Sequence, residues 1–138
     1  MTLDLSYAIT PFAAWLVAGC LKFAINSLRS GGAAFGQIGY GGLPSNHSTI
    51  VSAMAALVAL REGIATPAFG IALTLAFIVM LDAGGLRRHI ERQARAVNAL
   101  GEGTDCAPLR ERIGHSRLEI GSGILTGVLV AWAVNTLA

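Results

Sequence analysis

Four stretches of this chain carry no charged residue: Leu5 to Leu21, Ser48 to Leu60, Gly63 to Leu81 and Ile120 to Ala138. A membrane-crossing helix needs about 20 mainly apolar residues, within a range of roughly 17 to 25. The first, third and fourth stretches meet that length. The second meets it only if its helix starts near Ser45 and ends with Arg61 and Glu62 at the opposite interface, where Arg61 can hold its stem in lipid and its guanidinium among headgroups. Charged residues are 13% of the chain, about half the share of a soluble domain, so much of the surface need not meet water. The sequence therefore predicts an all-α, polytopic membrane helix bundle. It has four transmembrane helices plus a cytoplasmic helical extension, in one domain covering residues 1–138.

The extension follows the third stretch. Apolar residues at 86, 90, 94, 97 and 100 recur at helical spacing and carry that helix out of the membrane. Gly101 to Pro108 is a polar break, and the last helical segment is expected from Leu109. In this topology Lys22, Arg29, Arg87, Arg88, Arg92, Arg95, Arg110, Arg112 and Arg117 share one face, and Arg61 alone lies at the other. The excess of Lys and Arg makes the shared face cytoplasmic, in a bacterial-type inner membrane, with both termini on the far side. The first stretch lacks a basic leader and a clear small-residue cleavage site, so it reads as a retained helix. A net charge of +2, with no basic patch interleaved with aromatics, gives no case for nucleic acid. Cys20 and Cys106 show no metal-ligand spacing and read as free thiols.

Three polar groups collect at the cytoplasmic face, where ionisable residues near membrane depth are costly and invite a functional reading. Lys22 and Arg29 lie two helical turns apart, on one face, and together could clamp a dianion. In Gly41-Gly42-Leu43-Pro44-Ser45-Asn46-His47-Ser48, Pro44 stops any preceding helix and Ser45 or Asn46 is a natural N-cap. The first-turn N–H groups behind that cap suit a phosphate-like anion, and His47 sits among them. The glycine-rich stretch Gly31 to Gly42 reads as a surface loop whose backbone can approach an anion closely. The third group joins Asp82, Arg87 and Arg88 to Gly114-His115-Ser116-Arg117-Leu118-Glu119. His115 and Glu119 are four apart, so a helix would make them neighbours and let the carboxylate orient the imidazole. The bland alternatives are interfacial snorkelling, an ordinary cap and a surface i,i+4 pair. No carboxylate cluster suggests a two-metal site, so neither a metal nor a cofactor is expected.

These segments together resemble the divergent branch of the type 2 phosphatidic acid phosphatase family, related to acid phosphatases and vanadium-dependent haloperoxidases. The resemblance spans roughly Lys22 to Gly127 and rests on three pieces: 41–48, Leu-Asp-Ala-Gly-Gly-Leu-Arg-Arg-His at 81–89, and Gly-His-Ser-Arg-Leu-Glu-Ile-Gly-Ser-Gly at 114–123. It implies a metal-free mechanism through a phosphohistidine. His115 matches the nucleophile, Glu119 its orienting carboxylate (often aspartate in the wider family), and His47 the acid that protonates the leaving group. Lys22 and Arg29 match the first phosphate-binding motif and Ser45 the second, with Asn46 where glycine or serine is usual. The third-motif arginine falls on Arg87 or Arg88, with Arg110 and Arg112 as alternatives nearer His115 in sequence. The wider family usually has six helices.

The leading expectation is a membrane phosphatase acting on a lipid-linked phosphate or pyrophosphate, with membrane lipids around it. The main alternative is a non-catalytic lipid-phosphate binder or carrier. A small subunit of a larger complex and a vanadate-dependent oxidase rank below these. Small residues in the last helix, among them Gly121, Ser122, Gly123 and Gly127, suit close helix contact in lipid and suggest a homo-oligomer, taken as a homodimer.

Overall fold

The computed structural model describes residues 4–31, 42–101, 103, 106–111 and 113–137. Among them are five α-helices and no strand: α1 Ser6–Ser30, α2 Asn46–Arg61, α3 Pro67–Leu81, α4 Arg87–Leu100 and α5 Arg117–Leu137. One π-helical turn, Asp82–Leu86, joins α3 to α4, so the chain is helical without a break from Pro67 to Leu100. The all-α bundle and the helical extension beyond the third apolar stretch are as expected.

The number of membrane-crossing helices is not. Among the described residues three helices are long and apolar enough to cross: α1, the helix from Pro67 to Leu100, and α5. The sixteen residues of α2 rise only about 24 Å, short of a hydrocarbon core of about 30 Å. It is instead the buried centre of the bundle. Ser48, Thr49, Val51, Ser52, Ala53, Ala55, Leu57 and Val58 are all enclosed, with α5, α1 and α3 packed around them. Protein shields most of it, so it need not match the bilayer in length. The outer helices leave their apolar side chains exposed, as lipid contact requires. In α3 only Ala76 is buried.

The α2–α5 contact depends on small residues. A Cβ at Gly123 would stand 2.7 Å from the Ser45 carbonyl oxygen, and one at Gly127 would stand 2.5 Å from that of Thr49 and 2.8 Å from the Ala53 nitrogen. With the buried Ala131, these positions form a seam on every fourth residue along which two backbones touch. Gly123 and Gly127 are thus used within the protomer, while Gly121 meets nothing within 4 Å.

At the end of the bundle away from the three polar motifs, Arg61 ties three helices. Its Nε donates to Asn135 Oδ1 of α5 at 3.1 Å. Its Nη1 reaches Asp4 Oδ2 at 2.6 Å, and its guanidinium lies 5.6 Å from the Tyr7 ring centroid. Arg61 therefore sits opposite the other cations, as the topology required.

The last helix begins later than Leu109. The described residues of 106–116 are not helical, and α5 starts at Arg117. Asn98 of α4 accounts for this. Its Oδ1 accepts the Leu109 N–H at 2.7 Å and its Nδ2 donates to the Leu109 carbonyl at 2.9 Å, satisfying both backbone groups without a helix. Pro108 and Gly114 also disfavour one.

Candidate active site

Two local devices build the site. Ser45 caps α2, its Oγ accepting the Ser48 N–H at 3.4 Å, and this fixes His47 in the first turn. At α5, Ser116 and Glu119 form a reciprocal capping box. Glu119 Oε2 accepts the Ser116 N–H at 2.7 Å, and Ser116 Oγ accepts the Glu119 N–H at 3.2 Å. His115 immediately precedes that box. Its own N–H donates to the Ala83 carbonyl of the π-turn at 3.1 Å, and the Ser45 N–H donates to the Glu119 carbonyl at 3.0 Å. Backbone hydrogen bonds thus lock the three sequence motifs to one another.

The result brings His47 and His115 together, with ring centroids 6.2 Å apart. His115 is buried and His47 keeps an exposed edge. Enclosure pulls the His115 imidazole below its usual pKa, Lys22, His47 and Arg87 pull the same way, and Glu119 opposes them. Enclosure does the same to His47, reinforced by Arg87 and Lys22 and opposed by Asp82.

Glu119 reaches His115 by a different route from the one expected. The two do not share a helix face, because His115 precedes the helix. The capping box turns the carboxylate back, placing Oε2 3.7 Å from His115 Nδ1. That separation exceeds a hydrogen bond, and Nδ1 is buried without a partner. The carboxylate can still attract an imidazolium.

Beside His115 lies a cavity of about 490 Å³ whose lining includes Asn26, Arg29, Arg88, Glu91, His115 and Glu119. Arg29 and Arg88 were expected here. Lys22 is half-buried and close enough to both histidines to act on their charge. Arg87 bonds to Asp82 through Nε at 2.6 Å and faces the histidine pair electrostatically. Hence Arg87 and Arg88 both belong to the neighbourhood of the histidines, and Asp82 holds the first of them. Ser45 is fully buried and its hydroxyl, engaged with Ser48, serves as a cap. Asn46 opens α2 with its Oδ1 buried and unpartnered. Arg110 is exposed. Arg112 and Gly32 to Gly41 lie outside the described residues.

Three lining residues were not anticipated, Asn26, Ser30 and Glu91. Asn26 was within reach of the sequence, four residues after Lys22 and three before Arg29 on the same helix face. Glu91 was not, because its role depends on the return strand, the described non-helical residues between α4 and α5 (not a β-strand). Its Oε2 accepts the Gly114 N–H at 3.4 Å, while its Oε1 pairs with Arg95. Gly114 itself lies against α4, where a Cβ would stand 2.7 Å from Arg88 Cγ. Among the described residues no group of three His, Cys, Asp or Glu could hold a metal ion.

Comparison with known proteins places the chain in a family. An uncharacterized membrane protein, YuiD, of Bacillus subtilis (strain 168) is 35% identical over 107 residues, covering 65% of this chain and 68% of the relative. No solved structure matches. The profile described as the divergent PAP2 family matches residues 4–130. With three apolar helices and a membrane-protein relative this is a membrane protein, and it belongs to the divergent PAP2 family, a phosphatase-related group.

Proposed function

We propose that this protein is a metal-independent membrane phosphatase that hydrolyses a lipid-linked phosphate or pyrophosphate through a phosphohistidine, with its site facing the cytoplasm across a bacterial-type inner membrane. The observation that carries this reading is that His115, which lines a cavity with Arg29 and Arg88, also meets the imidazole of His47 from a separate stretch of chain. In this scheme Glu119 lies on the Nδ1 side of His115, leaving Nε2 to attack phosphorus. A P–N bond forms as the ester P–O bond breaks, and the leaving oxygen takes its electron pair and a proton from His47. Water then gives a proton to the now neutral His47 and attacks phosphorus, the P–N bond breaks with its electron pair returning to His115 Nε2, and phosphate leaves. Lys22, Arg29, Arg87 and Arg88, with the first-turn N–H groups of α2 at Asn46 and His47, stabilise charge on the phosphoryl oxygens.

This assignment sets the pH dependence. The free enzyme needs His115 neutral and His47 protonated. Both pKa values lie below the usual histidine value, about 6.5. Acid and base together give a bell whose peak lies midway between the two lowered values, so kcat/KM should be greatest below about pH 6.5. The Arg87 charge lowers both pKa values, so Arg87→Gln should move the whole profile to higher pH. An optimum above pH 7.5 would contradict these roles.

One observation favours the alternative of a silent lipid-phosphate binder: the 3.7 Å gap between His115 and Glu119. Substrate type separates the readings. With purified protein, His47→Ala should impair hydrolysis of an alkyl phosphate far more than that of p-nitrophenyl phosphate, whose leaving group needs no acid. A binder would hydrolyse neither.

A further inference from the structure

The continuous helix from Pro67 to Leu100 has 34 residues, about 51 Å at 1.5 Å per residue. A hydrocarbon core of about 30 Å cannot cover it. Even at a tilt of about 40°, the upper end of what membrane helices adopt, the core takes up about 26 residues, to about position 92. Deeper insertion would also submerge Arg87, Arg88, Arg92 and Arg95. The far half of α4 therefore stands outside the hydrocarbon, yet Val97 is 51% exposed and Leu100 86%.

Those residues belong to a row. Leu86, Ile90, Gln93, Val97 and Leu100 are all exposed or nearly so, with spacings of four, three, four and three. That is the a/d pattern of a heptad, with β-branched Ile90 and Val97 at a and Leu86 and Leu100 at d. This distribution favours two parallel helices, and Gln93 at the middle d position is the one polar member of the row. Two other sides of α4 are accounted for. Glu91 and Asn98 hold the return strand, and Arg92 and Arg95 lie away from the row. The α5 seam is no competing interface, since its glycines are taken up by α2.

We propose that α4 pairs in parallel with α4 of a second copy through this row, making the protein a homodimer joined by a short coiled coil beside the candidate site. Two heptads alone would associate weakly in water. Two copies in one bilayer are already parallel and held at high effective concentration, so a weak seam suffices. The pairing is independent of the catalytic reading.

The test uses the full chain with Cys20→Ser and Cys106→Ser, carrying one new cysteine at a time, oxidised in native membranes. A two-fold axis along the seam predicts disulfide-linked dimers for Val97→Cys and Leu100→Cys and little for Arg92→Cys and Arg95→Cys. Equal linking at all four sites, or none at 97 and 100, overturns the proposal. Absence of linking together with protection of positions 97 and 100 from maleimide would mean that lipid or another protein covers the row. Native mass spectrometry in nanodiscs should show the wild type as mainly dimer and Val97→Glu/Leu100→Glu as mainly monomer, with thermal stability of the bundle retained. A wild-type monomer, or a dimer that persists in the double variant, contradicts it.

Discussion

Replacing His115 with alanine should cut phosphate release by at least about a thousandfold, the scale on which an enzyme loses turnover without its nucleophile, and should leave the fold intact. The two halves of that expectation come from different atoms. The imidazole touches the cavity and the His47 ring. The backbone N–H, which the substitution keeps, makes the bond to Ala83 that fixes the return strand. Thermal stability in detergent should therefore hold, and should rise slightly in acid, because alanine removes a buried base that must gain a charge as pH falls. Glu119→Gln should be milder in turnover, since an amide oxygen can still accept the Ser116 N–H of the capping box. A His115→Ala protein that turns over at the wild-type rate would remove the nucleophile from the account.

The second large effect is structural. Gly127→Leu should prevent the bundle from assembling, and Gly127→Ala should destabilise it by about 1–3 kcal/mol, the usual penalty for overpacking. The first new carbon already falls 2.5 Å from a backbone oxygen and 2.8 Å from a backbone nitrogen, so no side-chain rearrangement relieves the clash and α2 itself must move. Its first turn carries His47, so the loss extends to the site. Gly121→Ala is the control. Its Cβ meets nothing within 4 Å, and the change should be neutral or slightly stabilising in line with helix propensity. Unfolding titrations of the three variants in mixed micelles would show this ranking, and equal stability for the alanine variants at 121 and 127 would contradict it.

Much of this arrangement was legible in the sequence because lipid imposes a strict rule. Uncharged stretches of 17 to 25 residues have few alternatives to a crossing helix, and α1, α3 and α5 follow. The second stretch was misread for the same reason. It is apolar enough to cross, but nothing local says that neighbouring helices will shield it. The abundance of Ser, Thr and Ala between Ser48 and Ala55 was the available hint, since such residues suit protein contact in a membrane better than lipid contact. The Ser45 cap was legible from Pro44 and the polar residues after it. The box at Ser116 follows the familiar Ser-x-x-Glu pattern, though i,i+4 spacing drew His115 and Glu119 onto a common helix face that does not exist. What no local pattern could supply was the return strand. Its path is set by Asn98 gripping Leu109 and Glu91 receiving the Gly114 N–H, contacts that span 11 and 23 residues.

The most direct measurement of the central claim is to quench the purified protein during turnover of a radiolabelled phosphate ester and map any covalent phosphate. The account predicts an acid-labile, base-stable label on the peptide holding His115, lost in His115→Ala and formed more slowly in His47→Ala with an alkyl ester. Turnover with no label on that peptide, or with label on another residue, would contradict it.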